Sequence, residues 1–160
     1  MKIIVVSDSH RDFHALYNTF NQNIDADLFV FLGDGLEELE DMESIFFQKE
    51  IWCVCGNCDF FTSKNTMGVG MAEGVKILYT HGHLFDVKKS LNKLRRQAED
   101  EQAGLVLFGH THQPYCGEEN GIWYFNPGSV SVPRGSKIPT FGEIIISDGK
   151  VVSCRHCEVI

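Results

Sequence analysis

The sequence predicts an α/β sandwich, and three observations predict it. Short apolar runs recur at Lys2–Val6, Asp27–Leu32, Ile51–Cys55, Val75–Tyr79 and Leu105–Phe108, each bounded by glycine or polar residues as buried strands are. In the first half these runs alternate with helical periodicities, which implies parallel pairing under covering helices, whereas the second half has the close spacing of hairpins and implies an antiparallel or mixed sheet. Each run then breaks at a polar cluster, and in α/β sheets such clusters at strand carboxyl ends converge on one crevice.

Taken in order, Lys2–Val6 is a β-branched strand ending at Ser7-Asp8-Ser9-His10. Asp12 is placed to cap a helix in which Phe13, Leu16, Tyr17 and Phe20 form a buried stripe, leaving His14 in solvent. The next strand closes on Gly33-Asp34-Gly35. The acidic run Glu37–Glu43 reads as the wet face of a helix with Leu36 and Leu39 turned inward. Ile51–Cys55 reads as a third buried strand before Gly56-Asn57-Cys58-Asp59. A glycine-rich polar connection leads to Val75–Tyr79, which ends in Thr80-His81-Gly82-His83. Ser90–Ala103 predicts an amphipathic helix with Leu91, Leu94 and Ala98 inward and Lys93, Arg95 and Arg96 outward. Leu105–Phe108 follows, and Gly109 marks where the chain leaves the sheet for His110-Thr111-His112 and the turn-forming Gln113-Pro114. Ile122–Phe125 is a strand closing on the turn Asn126-Pro127-Gly128-Ser129. Asp148-Gly149 is a hairpin turn between Glu143–Ile146 and a tail strand from Lys150.

Bulk properties narrow the function. The 160 residues fit one domain, 1–160, long enough to bury a core without staples. The apolar start is too short, and too soon followed by Asp8, for a signal peptide, and no span reaches membrane length; a cytoplasmic protein is expected. In that compartment six cysteines read as thiols, and the spacing of Cys53, Cys55, Cys58, Cys154 and Cys157 is poor for a zinc knuckle. A formal charge of -8 argues against stable nucleic-acid binding, which draws on clustered Lys and Arg. Arg134, in Val132-Pro133-Arg134-Gly135, reads as a surface-loop arginine, with a substrate-facing guanidinium near the cleft as the alternative.

Collected, the strand-end residues are Asp8, His10, Asp34, Asn57, His81, His110 and His112. Imidazole, carboxylate and amide oxygen together suit Mn, Fe, Co, Ni or Zn and require no thiolate. Seven ligands exceed what one ion takes from protein, so two ions bridged by a carboxylate are the economical arrangement. In an extended segment His110 and His112 would point to one side, toward neighbouring points of a cleft.

The motifs Asp8-Ser9-His10, Gly33-Asp34, Gly56-Asn57-Cys58-Asp59, Thr80-His81-Gly82-His83, Gly109-His110-Thr111-His112 and Asn126-Pro127-Gly128-Ser129, in this order, resemble the calcineurin-like metallophosphoesterases, specifically their small single-domain phosphodiesterase branch. The resemblance spans most of the chain. It implies a four-layer α-β-β-α sandwich of two mixed sheets flanked by helices. It also implies a first divalent ion on Asp8, His10 and His112, a second on Asn57, His81 and His110, and Asp34 bridging them, with manganese the leading candidate and Ni, Co, Fe or Zn open. His110 and His112 would thus serve different ions, with Thr111 turned away. The implied activity is hydrolysis of a small phosphodiester by a metal-activated hydroxide, with Asn57 offering its amide to a phosphate oxygen. A phosphomonoesterase or nucleotidase stays open, as does a non-catalytic scaffold, since the family includes a trafficking-coat subunit that keeps the fold for protein interaction. A homodimer or small homo-oligomer is compatible with the resemblance.

One departure matters. Where much of the wider family has a histidine proposed to protonate the leaving group, this chain has Cys58, a poor acid toward an alkoxide. His83 is the alternative candidate for that role, and Asp59 is expected to assist catalysis by orienting the loop or a ligand.

Overall fold

The computed structural model describes residues 1–160. Ten strands form two five-stranded sheets. The first has the order β10 (Lys150–Glu158), β9 (Thr140–Ser147), β1 (Lys2–Val6), β2 (Leu28–Phe31), β3 (Glu50–Cys53). The second has the order β4 (Met67–Ala72), β5 (Val75–Thr80), β6 (Leu105–Phe108), β8 (Ile122–Pro127), β7 (Pro114–Glu119). β1, β2 and β3 run parallel, as do β5, β6 and β8, and the remaining pairings are antiparallel, so both sheets are mixed.

Alternation along each strand builds the layers. Ile3, Val5, Leu28 and Val30 point between the sheets and meet Ile77, Leu105, Leu107 and Phe125. Their neighbours Ile4, Val6, Phe29 and Phe31 point outward onto helices α1 (Phe13–Gln22) and α2 (Leu36–Ile45). On the far side Leu78, Val106 and Phe108 receive Leu94 and Ala98 of α3 (Asn92–Asp100). The result is the α-β-β-α sandwich. α1 starts where expected: Asp12 Oδ1 accepts the Ala15 N–H at 2.9 Å, Leu16 and Phe20 are fully buried, and His14 is exposed.

Four expectations are corrected. The connection after Asp59 contains strand β4, with Val69 opposite Leu78 in its hairpin with β5. Its glycines hide its character because they make room for aromatics: a Cβ on Gly70 would lie 2.4 Å from the Trp52 ring, and one on Gly68 would lie 2.3 Å from Tyr79. Gln113-Pro114 does not end the strand order, since Pro114 opens β7, an edge strand where a missing N–H is tolerated. β3 lies at a sheet edge, and Ile51, Trp52 and Cys53 are only half-buried. Glu38 is not on a wet face; it is buried, and its carboxylate accepts the Ser9 hydroxyl at 3.3 Å.

Candidate metal centre

Six parallel strands deliver their carboxyl ends to one edge of the sandwich, and the expected residues stand there. Asp8 and His10 follow β1, Asp34 follows β2 and Asn57 follows β3; His81 follows β5, and His110 with His112 follow β6. The chain leaves the strands abruptly: Asp8, His10, Asp34, His110 and His112 all have positive φ, between 43° and 67°. Non-glycine residues in the left-handed region carry roughly 1–3 kcal/mol of strain each, a pattern concentrated at functional sites. His110 and His112 are therefore not on one side of an extended segment. Both rings reach the centre because the loop curls around them, while Thr111 is turned away with its hydroxyl held by the Asn126 amide at 3.1 Å.

The two carboxylates share one design. Asp8 Oδ2 is held by the Ser7 hydroxyl at 2.7 Å and the His110 N–H at 3.1 Å, and Asp34 Oδ1 accepts the Cys58 N–H at 2.8 Å. The other oxygen of each faces imidazoles. Asp8 Oδ1 lies 3.2 Å from His112 Nε2 and 3.8 Å from His10 Nε2. Asp34 Oδ2 lies between the two halves of the cluster, 3.8 Å from His10 Nε2 and 3.4 Å from His81 Nε2. Asn57 Oδ1 and His110 Nδ1 each approach His81 Nε2 to 3.1 Å.

Backbone carbonyls set the tautomers. Leu32 O stands 2.7 Å from His81 Nδ1 and Val132 O stands 2.8 Å from His112 Nδ1, so each ring donates from Nδ1 and, in its neutral form, turns a bare Nε2 inward. The same carbonyl pairing leaves Asp8 Oδ1 fully buried without a hydrogen-bond partner, although it is ringed by nitrogens. Lone pairs facing lone pairs in a buried pocket need cations between them. The donor set fits divalent transition ions in two groups of oxygen with imidazole nitrogen, Asp8, His10 and His112, and Asp34, His81 and His110; a third group, His10, Asp34 and Cys58, lies between them and adds a thiol.

The charges agree. Burial disfavours the Asp34 anion, but His81 and the Cys58 N–H outweigh it and hold the carboxyl well below its usual range. Asp8 is likewise lowered against its burial, by His112, His81 and Ser7. Burial, with His81 and Lys88, lowers His110 to about 4, keeping a lone pair available. Burial opposes charge on His81 too, yet Asp34 and Asp8 raise its pKa.

The remaining expected residues divide. Asp59 is turned to the backbone: its carboxylate accepts four N–H groups, from Asp34, Gly35, Leu36 and Gly56, at 2.7–3.0 Å. It caps α2 from outside and fixes the Asp34 loop. His83 packs behind His81 and His110, at ring distances of 5.4 and 6.1 Å, and its Nδ1 is buried without a partner. It does not line the cleft of about 610 Å³ that opens over the centre. Cys58 does line it, and burial with Asp34 pushes its thiol pKa up. The six cysteines are free, and Cys154 and Cys157 join no cluster of metal-ligating side chains.

Several working residues escape the sequence reading. Asn126, fully buried, holds Gly109 O at 2.9 Å, and Ser129 and Ser131 both donate to Asp8 O. Asn126 and Ser129 lie in the stretch read as a turn and quoted among the family motifs, with no role given to either, and Ser131 lies just beyond it. Lys88 and Arg134 line the cleft, and Arg134 does so as an exposed residue of a loop, which joins the two readings of it. Its backbone N–H donates to His112 O at 2.9 Å, and that tie places it there.

Comparison with known proteins agrees with this geometry. The calcineurin-like phosphoesterase superfamily domain matches residues 1–149. The chain is 30% identical over 149 residues to the probable metallophosphoesterase YsnB of Bacillus subtilis, covering 92% of this chain and 86% of that protein. It is 31% identical over 101 residues to the phosphodiesterase YfcE of Escherichia coli, covering 58% of this chain and 51% of that one. Among solved structures, a predicted phosphoesterase from Streptococcus pneumoniae superposes with a TM-score of 0.79 at 30% identity, covering 98% of this chain and 97% of its own. A Vps29 from Entamoeba histolytica solved with zinc has a TM-score of 0.74 at 20% identity over both whole chains, a likeness of fold. The chain belongs to the calcineurin-like phosphoesterase superfamily, as a metal-dependent phosphoesterase.

Proposed function

We propose that the protein is a phosphodiesterase with two divalent ions. Asp8, His10 and His112 hold one ion, Asn57, His81 and His110 the other, and Asp34 bridges them. The observation that carries this reading is Asp34 Oδ2, which faces His10 on one side and His81 on the other while its partner oxygen is tied to Cys58 N–H. Manganese is the first metal to test, and a single domain in the cytoplasm is the accompanying expectation.

Bound there, such ions supply Lewis-acid polarisation of the phosphoryl oxygens and a water acidic enough to serve as nucleophile near neutral pH. The protein's part is positioning and charge. Five neutral donors with only two carboxylates leave the occupied centre net positive, which attracts a phosphodiester anion despite the overall charge of -8. Asn57 contributes an uncharged oxygen to the centre while its amide N–H2, 3.4 Å from Cys58 Sγ, faces the open side where a phosphate oxygen would sit. No strong general acid lines the cleft, so esters with good leaving groups are the favoured substrates.

The test is hydrolysis of bis(p-nitrophenyl) phosphate by protein loaded in turn with Mn, Ni, Co and Zn, with metal content measured. About two ions per chain and activity that Asp34→Asn lowers by a factor of at least about 10³ are expected. Full folding with no turnover on any metal would instead favour the scaffold reading.

A further inference from the structure

The cleft over the metal centre divides into two branches of opposite character, which share His10, Asp34 and Cys58. One branch carries Lys88 and Arg134 and no acid beyond the Asp34 ligand. The other carries Glu37, Glu38 and Glu40 against the single Arg11, with Phe60 and Phe61 exposed on its rim. The chain has 22 acids and 14 Lys and Arg, yet both charged side chains that this branch adds to the ligands are cationic. Six of the 14 are engaged by carboxylates, and Lys88 and Arg134 are among those that are not, which leaves their charges available to the cleft they line.

Neither residue is there by accident of a loose loop. Arg134 follows Val132, whose carbonyl orients His112, and its own N–H returns to His112 O, so the segment brackets that histidine. Lys88 lines the same branch as His110. The basic branch is thus tied to the Gly109–His112 loop through His112.

Resting on the phosphodiesterase reading, we propose that Lys88 and Arg134 bind a second phosphate group, carried on one arm of the substrate beyond the scissile phosphodiester. The occupied metal centre already matches the single negative charge of a diester, so two further cations exceed what the reacting phosphate requires. A planar guanidinium fork beside an ammonium is the pairing that recognises a phosphate monoester. The glutamates of the other branch repel that group, so the arm has one orientation, with the uncharged arm directed toward Phe60 and Phe61.

Two p-nitrophenyl diesters with the same leaving group decide it: one whose second arm is ethyl ending in phosphate, the other with a propyl arm. The expected result is a kcat/KM at least about tenfold higher for the anionic arm, a preference of about 1.4 kcal/mol that fades with added salt. In the double variant Lys88→Gln/Arg134→Gln that ratio should fall to near one. Equal losses on both esters would place the cations on the scissile phosphate and overturn the proposal, as would a wild-type enzyme that shows no preference. If neither ester is hydrolysed, the phosphodiesterase reading fails, and binding still decides the anion site. Calorimetry on the metal-loaded protein should then show propane-1,3-bisphosphonate bound at least about tenfold tighter than propylphosphonate, an advantage lost in the double variant. Equal affinities for the two would end the proposal.

Discussion

At the scale of the residue, the centre is built by giving every polar atom one job. Asp8 and Asp34 each commit one oxygen to backbone or hydroxyl donors and leave the other for the cluster. His81 and His112 each commit Nδ1 to a carbonyl. Glycine is required where these groups pass closest: a Cβ on Gly56 would lie 2.1 Å from Asp34 Oδ1, and one on Gly109 would lie 2.1 Å from Ser7 Oγ. His83 departs from this pattern. Burial and His81 lower its pKa, and it stands behind the ligand rings rather than on the cleft wall. A general acid must reach the leaving oxygen. The geometry therefore predicts that His83→Ala lowers kcat by a similar factor, about tenfold, for aryl and alkyl esters of the same phosphate, through a disturbed His81 and His110. A loss concentrated on alkyl esters would restore His83 as the proton donor.

At the scale of the element, parallel strands did most of the organising, and they were also the legible part. β1, β2, β5 and β6 announce themselves as apolar runs because both faces of each are covered. Their carboxyl ends carried the ligands, so the site was legible for the same reason. The two edge strands of the second sheet were not: β4 reads as Met-Gly-Val-Gly-Met-Ala, and β7 begins with proline. In β4 the glycines serve contacts from distant segments, since Trp52 comes from the other sheet and stacks on Tyr79 with ring centroids 5.4 Å apart. No local period can show that. Gly70→Val should thus destabilise the protein by about 1–3 kcal/mol in chemical denaturation, because Trp52 has to move from its stack. The same change would be expected to stabilise β4 if propensity alone governed it, so the sign of the shift in midpoint separates the two accounts. The Asp59 clamp was half-legible. An acid beside a glycine suggests an orienting role, but four amide partners on one carboxylate come from a loop geometry that composition does not encode.

At the scale of the whole molecule, two sheets and two helical layers hold apart a cluster that would not assemble otherwise, and the strain of five left-handed residues is borne by that frame. Metal and proton compete for this cluster. His81 has a pKa raised above its ordinary 6.5 when the centre holds no ion, so its protonated form stabilises the fold below pH 6.5, and that contribution is lost as pH rises through the raised value. Asp8 and Asp34, both lowered, act in the opposite sense: their contribution is present above their ordinary 3.8 and disappears only as pH falls below it. His110, at about 4, is already neutral near pH 7 and has no proton to give up. A divalent ion must displace the His81 proton, so its affinity rises about tenfold per pH unit for that one proton, up to the raised pKa of His81. The expected outcome is a thermal shift on adding manganese that is small at pH 5.5 and grows through pH 8, reaching about 2.7 kcal/mol once the ion is a hundredfold above its dissociation constant. His81→Asn should flatten this dependence while leaving an ion at the Asp8, His10 and His112 group. A shift that stays constant from pH 5.5 to 8 in the unaltered protein would mean that the ion binds without displacing a proton from His81.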